Sequence, residues 1–234
     1  MLFPITCVDN FYSNPDKIRE FALSLDYGKA DKSNYPGVRT QLLHKIDPVF
    51  FDMFCKKIFS LFFDLNLHTF EWEVQTSFQK IYKYDSPEEY FNEVNSGWTH
   101  LDVEQILAGV IYLNPSPNLD SGTSFYKPHN IPLKFGNEVW KPRNDFYREN
   151  GLPTDQYAKL KSEHNSKFYK VGEFKNVYNR LVSYDTQYWH RESGFSMDND
   201  DFRLTQVFFV NKIDCAANTV PPILRSKQYE FYPS

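Results

Sequence analysis

Cysteine is scarce in this sequence, and neither sign of charge is in large excess. The 234 residues include three cysteines, Cys7, Cys55 and Cys215, with no Cys-x-x-Cys spacing. This odd, widely spaced set argues against a disulfide framework and against a thiolate zinc site, so we expect reduced thiols in the core of a cytoplasmic protein. A formal net charge of −4 argues against a general nucleic-acid binder and against a basic membrane-surface protein.

Long hydrophobic runs are also missing. No apolar stretch reaches the roughly 18 residues that a membrane-spanning helix requires, and residues 1–16 lack the basic start and apolar stretch of a signal peptide. Hydrophobic residues nevertheless make up 41% of the chain and aromatic residues 18%. That supply is sufficient for a packed core, and the length suits a single domain over residues 1–234.

The first third of the chain, residues 1–69, is predicted to form a helical or mixed support. Residues 14–16 (Asn-Pro-Asp) are a typical helix start, the apolar residues that follow recur at helical spacing, and Gly28 is a stop signal. Residues 48–66 have the length and spacing of a second, well-buried helix.

From residue 70 onward the pattern becomes that of β-strands. Several short segments alternate or are continuously apolar, and turn residues bound them. These segments are 70–84, 108–115, 121–127, 179–191 and 202–212. They predict a mainly β fold with flanking helices, in which residues 70–127 and 179–212 form a double-stranded β-helix, the jelly-roll or cupin-like core.

Residues 128–178 interrupt this pattern. They are polar, mixed in charge and weakly periodic, with one helical piece near 153–163. A long excursion inside a compact β domain is commonly functional. We therefore expect an insertion that acts as a lid or as a wall facing the substrate, and a passive surface loop is the alternative.

One small constellation, His100 and Asp102, indicates metal chemistry. Two residues that are two apart on an extended strand lie on the same side. Two histidines and one carboxylate can bind Fe(II) and leave three positions open, and His190 is the candidate third ligand from a returning strand. Such pairs also arise by chance, as His190 and Glu192 illustrate.

The last predicted strand carries Arg203 and Thr205 on one face. An inward-facing arginine is costly to bury without an anionic partner. A dicarboxylic 2-oxo acid is a suitable partner, because its oxo-acid end can chelate iron while its far carboxylate reaches the arginine. The alternative is a surface arginine paired with Asp200 or Asp201.

Taken in order, these motifs resemble those of the Fe(II)- and 2-oxoglutarate-dependent oxygenases, most nearly the prolyl-4-hydroxylase-like branch. The order is His-x-Asp, an apolar strand ending in Tyr-Leu-Asn, a Gly-Thr-x-Phe strand, a distal His, and a basic residue on the last strand. It covers residues 75–211. The resemblance implies a double-stranded β-helix with a metal centre at its open mouth.

The reaction that the resemblance implies couples oxidative decarboxylation of 2-oxoglutarate to hydroxylation of a substrate. It needs Fe(II) as cofactor, with 2-oxoglutarate and dioxygen as cosubstrates. The implied iron ligands are His100, Asp102 and His190. The implied contacts of the far carboxylate of 2-oxoglutarate are Arg203, Thr205 and a tyrosine near the end of the preceding strand, Tyr84 in preference to Tyr82.

The substrate class stays open between a peptide side chain, a free amino acid and a small metabolite. Arg191, just after the distal histidine, is a candidate for binding an anionic substrate group, and Trp98 is a candidate pocket wall; a surface arginine and a core tryptophan are the alternatives. The sequence departs from prolyl hydroxylases in its longer link from Tyr84 to His100, in an arginine where lysine is usual, and in its excursion.

Other functions are open on the residues alone. A cupin-like metal-binding protein or isomerase shares the predicted shape, and the Irving–Williams order does not favour iron. Such a site usually has more histidine ligands and no counterpart of Arg203. A non-catalytic binding protein has no need for an intact set of charged ligands. A nucleic-acid demethylase needs a basic groove, for which Lys134, Lys141 and Arg143 are candidates.

Overall fold

The computed structural model describes residues 3–29, 33–86, 88–129, 137–148, 155–195, 200–215 and 223. The elements follow in the order β1 (Thr6–Val8), α1 (Pro15–Leu23), β2 (Val38–Arg39), α2 (Leu43–Ile46), α3 (Pro48–Phe59), β3 (Phe70–Tyr82), α4 (Phe91–Val94), β4 (Leu107–Tyr112), β5 (Thr123–Pro128), α5 (Asn137–Arg148), α6 (Asp155–Asn165), β6 (Phe168–Phe174), β7 (Leu181–Asp185), β8 (Trp189–Glu192) and β9 (Phe202–Cys215). Within these ranges, no helix is long and apolar enough to cross a membrane.

The described strands form two antiparallel sheets. The major sheet has six strands in the order β1-β7-β4-β9-β3-β2, and the minor sheet has three in the order β6-β5-β8. Neighbours in the sheets are far apart in the chain, since β4 lies between β7 and β9. This architecture confirms the prediction of a mainly β fold with flanking helices.

The major sheet has two different faces. On its outer face Leu204, Phe208 and Phe78 pack against the N-terminal helices, and the ring of Phe54 in α3 lies 5.5 Å from that of Phe208. Because side chains alternate along a strand, Arg203, Thr205 and Val207 of β9 point to the inner face, toward the minor sheet. A second apolar cluster fills part of that interior around Phe125.

The two N-terminal helices start as predicted. The side chain of Asn14 accepts a hydrogen bond from the Lys17 amide at the start of α1, and Asp47 caps α3 in the same way. Both helices then end earlier than the sequence predicts. After α3 the chain continues in turns, in which Phe62 and Phe63 are both buried.

The excursion is more regular than its sequence predicts. It contains α6 near the predicted helical piece, and also α5, which the sequence analysis missed. The ring of Phe146 in α5 stacks on that of Tyr157 in α6 at 3.7 Å. Residues 168–174 form β6 and belong to the minor sheet, so the predicted insertion is shorter than 128–178. Residues 130–136, among them Lys134, lie outside the described residues.

Two further expectations need correction. The segment 179–191 is two strands, β7 and β8, which belong to different sheets. All three cysteines are free, but only Cys55 and Cys215 are buried. Cys7 is exposed because its strand, β1, lies at the edge of the major sheet.

Candidate metal centre and its cavity

The turn between β7 and β8 carries the chain from one sheet to the other. Asp185 fixes this turn, because its carboxylate accepts hydrogen bonds from the amides of Gln187 and Phe3, each at 3.0 Å. The turn is also tied to the segment after His100, since the amide of Asp102 donates to the carbonyl of Thr186 at 3.3 Å. The first residues of β8 therefore enter the minor sheet beside the segment that carries His100 and Asp102.

The segment before Asp102 adds to the edge of β8. His100 and His190 exchange both backbone hydrogen bonds at 3.0 Å, and the Gly97 amide donates to the Glu192 carbonyl at 2.9 Å. A side chain does not fit at Gly97, because a Cβ there would lie 2.8 Å from the backbone nitrogen of Glu192. The close pairing sets the two imidazole rings side by side, with centroids 4.4 Å apart.

His100, Asp102 and His190 converge on one point. The Asp102 carboxylate lies 3.3 Å from Nε2 of His190 and 3.7 Å from Nε2 of His100, and one ligand atom from each residue lies within 4.8 Å of the others. Ligands at about 2.1 Å from one metal ion and at right angles are about 3 Å apart. A small closure of this set is therefore enough to hold an ion.

Both imidazoles are oriented by main-chain carbonyls. Nδ1 of His100 lies 2.7 Å from the Trp98 carbonyl, and Nδ1 of His190 lies 2.9 Å from the Tyr188 carbonyl. Each Nδ1 therefore donates its proton to a carbonyl, so that in the neutral ring the lone pair is on Nε2, on the side of Asp102. This is the tautomer that a metal ligand requires.

The three groups have shifted pKa values. Burial, assisted by the neighbouring His190, lowers the pKa of His100 to about 4. Burial opposes charge on His190 as well, but the Asp102 carboxylate beside it raises its pKa overall. The pKa of Asp102 is lowered, because its contacts with the two histidines outweigh the effect of burial. At neutral pH the set offers a neutral His100 and an ionised carboxylate.

The three side chains line a cavity of about 830 Å³ between the sheets. That volume lies within the usual range for a small-molecule site, about 300–1,000 Å³. Arg203 lines the same cavity from the major sheet, and Arg143 and Asn144 line it from α5. The excursion thus contributes one wall of the cavity.

Arg203 is buried, with 2% of its surface exposed. Its Nε donates to the Ser121 carbonyl at 2.8 Å, and its guanidinium carbon lies 5.3 Å from the ring centroid of Tyr112. Asp200, its alternative partner, instead pairs with Arg19 at 3.0 Å. The alternative of a surface arginine is therefore wrong.

Hydroxyl groups surround the inner end of Arg203. The Tyr112 hydroxyl and Oγ1 of Thr123 are hydrogen-bonded at 2.7 Å. Oγ1 of Thr205, on the same face of β9 as Arg203, is buried without a hydrogen-bond partner among the described residues. A buried hydroxyl without a partner is costly. This corner of the interior is polar and incompletely satisfied, as a binding site for a carboxylate would be.

The two predicted tyrosines lie elsewhere. Tyr82, the last residue of β3, is 46% exposed and packs against Phe202. Tyr84 follows the strand, and its ring packs on Phe146 and Phe195, with centroid distances of 5.0 and 6.2 Å. Neither tyrosine lines the cavity of the triad. The structure does not bring them to Arg203 and places Tyr112 there instead.

The two predicted substrate residues are also placed differently. Trp98 is buried beneath α6, where its Nε1 donates to the Tyr157 hydroxyl at 2.8 Å. Arg191 touches the cavity, but alternation along β8 turns its side chain away from that of His190. Its guanidinium carbon lies 4.8 Å from the centroid of the Tyr126 ring, on the other face of the minor sheet.

Helix α6 binds the main chain just before His100. Asn165 accepts a hydrogen bond from the Thr99 amide at 2.9 Å and donates to the Gly97 carbonyl at 3.3 Å. Nε2 of His164 lies 2.7 Å from the Thr99 carbonyl, and the buried Lys161 ammonium donates to the Ser96 carbonyl. The excursion therefore fixes the segment that carries the first histidine.

Sequence reasoning missed two groups at this site. Tyr112 could have been found, because it is the one polar-tipped residue in an apolar strand and alternation puts it on the inner face. The contacts of α6 with residues 96–99 had no such signal, since they join segments far apart in the chain.

Comparison with known sequences gives one family match, over residues 3–210, to a family of unknown function called DUF6445. The chain belongs to that family. No sequence among the curated proteins matches the chain.

Solved structures give several further likenesses. EvdO2 from Micromonospora carbonacea var. aurantiaca has a TM-score of 0.50 at 13% identity, over 93% of this chain and 89% of that one. HygX from Streptomyces hygroscopicus, with nickel and 2-oxoglutarate bound, has a TM-score of 0.48 at 11% identity, over 88% and 82%. A Pseudomonas putida prolyl-4-hydroxylase has a TM-score of 0.42 at 13% identity, over 89% and 92%. At these identities the likeness concerns the fold alone, and the match to EvdO2 agrees with the predicted jelly-roll core.

Proposed function

We propose that this protein is a non-haem iron oxygenase that couples oxidative decarboxylation of 2-oxoglutarate to hydroxylation of a substrate. One observation carries the proposal. Two imidazoles and a carboxylate converge on one point. A buried arginine, on the same strand face as the Thr205 hydroxyl that lacks a partner among the described residues, lines the same cavity from the opposite sheet. A metal site alone does not require a buried arginine on the opposite side of the cavity.

The proposed iron ligands are Nε2 of His100, Nε2 of His190 and the Asp102 carboxylate. The fit rests on the donor set, since imidazole and carboxylate ligands in a 2-His-1-carboxylate arrangement suit Fe(II). It rests also on the two Nδ1 contacts with carbonyls, which point both Nε2 lone pairs at the carboxylate. Binding would displace the proton that Asp102 favours on His190.

The proposed contacts of 2-oxoglutarate are Arg203, Thr205 and Tyr112. Arg203 supplies the charge for the far carboxylate, and the Tyr112 and Thr205 hydroxyls supply hydrogen bonds. Thr205 then gains the partner that its buried Oγ1 lacks among the described residues. Tyr112 takes the role that the sequence analysis expected for Tyr84.

The overall reaction consumes 2-oxoglutarate, dioxygen and a substrate C–H bond. It yields succinate, carbon dioxide and the corresponding alcohol, with one oxygen atom of dioxygen in succinate and one in the alcohol. Bound Fe(II) supplies the one-electron chemistry that activates dioxygen. The chain itself orients the cosubstrate through Arg203, holds the imidazole tautomers, and limits water with the wall that α5 contributes.

An anaerobic titration tests this function. Fe(II) and then 2-oxoglutarate are added to the apo-protein, and the visible charge-transfer band of the chelate is recorded. We expect a band in the wild type, no band in His100→Ala, and a normal band in His129→Ala, whose exposed histidine lies outside the cavity. In Arg203→Ala the band should need roughly 10- to 100-fold more 2-oxoglutarate.

Two other outcomes would count against the proposal. Iron binding without any 2-oxoglutarate band would favour the cupin-like alternative, in which Arg203 has no cosubstrate to bind. A failure of the protein to bind iron at all would remove the metal centre. Succinate release in air, measured on the same samples, separates a bound cosubstrate from one that turns over.

A further inference from the structure

One row of side chains crosses the inner face of the major sheet. Register pairs Tyr112 with Thr205, Thr205 with Gln79, and Gln79 with Arg39. Adjacent strands lie about 4.8 Å apart, so Arg39 on β2 starts roughly 10 Å from Thr205. The proposed 2-oxoglutarate contacts occupy one end of this row, and Arg39 is a second cation at the other end.

The position of Arg39 is firmly set by the main chain around it. Its amide and carbonyl both bond to Gly28 at 2.9 Å. The preceding turn requires glycine, because Gly37 has φ +70° and a Cβ there would lie 1.9 Å from the Lys80 carbonyl oxygen. Gln79 donates to the Pro36 carbonyl at 2.7 Å, which holds the turn against β3.

The guanidinium of Arg39 is held by ring contacts and has no carboxylate partner among the described residues. Its carbon lies 3.8 Å from the centroid of the Tyr35 ring and 5.6 Å from that of Phe209. Its one side-chain hydrogen bond to described residues is a long one, 3.4 Å from Nη2 to Gln79. Nε is buried without a hydrogen-bond partner, and no ion pair forms within the described ranges. Burying a guanidinium without an anionic partner costs free energy, and an anionic ligand would offset that cost.

Arg39 lines the cavity that also holds the triad. Three arginine side chains, those of Arg39, Arg143 and Arg203, face it, since that of Arg191 lies on the other face of the minor sheet. Two partly buried acids, Asp102 and Glu192, also line it, and a third, Glu104, is exposed, so solvent screens its charge. If iron carries two positive charges and 2-oxoglutarate two negative ones, they cancel. One positive charge is then left over in the lining, and a single carboxylate on a second molecule would balance it. Phosphate dianions fit less well beside these acids.

We propose that Arg39 binds a carboxylate of the molecule that is oxidised, so that the substrate is a small monocarboxylate. This inference rests on the proposed function, because it assigns Arg203 to 2-oxoglutarate and leaves Arg39 for the substrate. The carboxylate takes the planar fork of Arg39. The body of the substrate lies along the inner face of the major sheet toward the triad, past Gln75 and Val207. Arg39 is a specificity-determining residue in this arrangement.

The test uses the full-length protein with Fe(II) and 2-oxoglutarate, kept anaerobic. The probes are benzoate, phenylacetate, hexanoate and the L-amino acids, each compared with its primary carboxamide. Binding near the metal is read as a change in the visible band of the chelate. We expect at least one carboxylate to change the band, its carboxamide to fail, and Arg39→Gln to raise the Kd of that carboxylate roughly 10- to 100-fold.

Two companion variants sharpen the result. Arg148→Gln, an exposed arginine outside the cavity, should bind the carboxylate like the wild type. Arg39→Lys keeps the charge without the planar fork and should fall between the wild type and Arg39→Gln. The visible band itself reports that each variant has folded around its iron.

Failure of the two proposals gives different results. If no protein forms the band with 2-oxoglutarate, the proposed function and this inference fall together. If the band forms but no carboxylate of the panel binds, or carboxamides bind equally well, or Arg39→Gln binds the carboxylate as the wild type does, only this inference is overturned.

Discussion

At the scale of single residues, Thr205 offers a test that separates binding from stability. Its hydroxyl is buried without a partner among the described residues, so Thr205→Val removes a cost in the ligand-free protein. We expect the free energy of unfolding to stay equal or rise by about 1 kcal/mol, while the Kd for 2-oxoglutarate rises roughly 5- to 10-fold. Urea unfolding and titration of the visible band measure the two effects, and an unchanged Kd would remove Thr205 from the site.

A second residue-scale prediction compares two tyrosines. Tyr112→Phe removes the hydroxyl that bonds Thr123 beside Arg203, so the Kd for 2-oxoglutarate should rise roughly 5- to 30-fold. Tyr84→Phe serves as the matched control and should change that Kd by less than about two-fold, because its ring packs on Phe146 outside the cavity. The same 2-oxoglutarate titration measures both. If Tyr84→Phe raised this Kd more than Tyr112→Phe did, Tyr84 would be the tyrosine that contacts 2-oxoglutarate, as the sequence predicted.

The residues of the site differ in how far the sequence predicts them. The pair of His100 and Asp102 could be predicted because a spacing of two residues on an extended segment puts both side chains on the same side. The role of Arg203 could be predicted because alternation on β9 places it on the inner face, and a cation buried there needs an anionic partner. Tyr84 lies away from Arg203 because β3 ends at Tyr82, and alternation does not predict the direction of a side chain beyond the end of a strand.

At the scale of elements, α6 is a support for the first histidine. Asn165 holds both the Thr99 amide and the Gly97 carbonyl. We expect Asn165→Ala to weaken Fe(II) binding about 10-fold, as loss of an orienting contact behind a metal ligand commonly does. The measurement is Fe(II) titration, with far-ultraviolet circular dichroism to check that the fold is kept.

Ser166→Ala is the matched control for that change. Ser166 is exposed just after α6, and its hydroxyl donates to the nearby Glu163 carbonyl at 3.0 Å. It should bind Fe(II) like the wild type. Equal affinities for the two variants would mean that α6 covers the residues before His100 without orienting them.

Strands of the core were easier to predict than the excursion, for a physical reason. β4 is continuously apolar and β9 alternates because the sheets bury them, so burial gives each strand a hydrophobic pattern that the sequence shows. The sequence of α5 is mostly polar, and Phe146 and Tyr147 are its residues in the apolar cluster, so the helix shows little hydrophobic periodicity. The division between β7 and β8 depends on Asp185 accepting an amide from Phe3, a contact that local sequence does not encode.

At the scale of the whole molecule, one sheet carries stability on one face and the candidate chemistry on the other. Phe54 anchors α3 to the outer face through Phe208 and is 1% exposed. We expect Phe54→Ala to lower the free energy of unfolding by about 3–5 kcal/mol. Met53→Ala, at the adjacent and 62% exposed position of the same helix, should change it by about 0.5 kcal/mol or less. Chemical denaturation measures both, and similar losses would mean that the outer core is not the main source of stability.

The reciprocal main-chain bonds between His100 and His190 make two distant parts of the chain open together. Each amide is protected from solvent only while the other segment is in place. Hydrogen–deuterium exchange at these two amides should therefore proceed at one common rate. An ion that bridges the two imidazoles should slow both by the same factor, so isotope exchange at two backbone positions would register occupancy of the centre without any turnover.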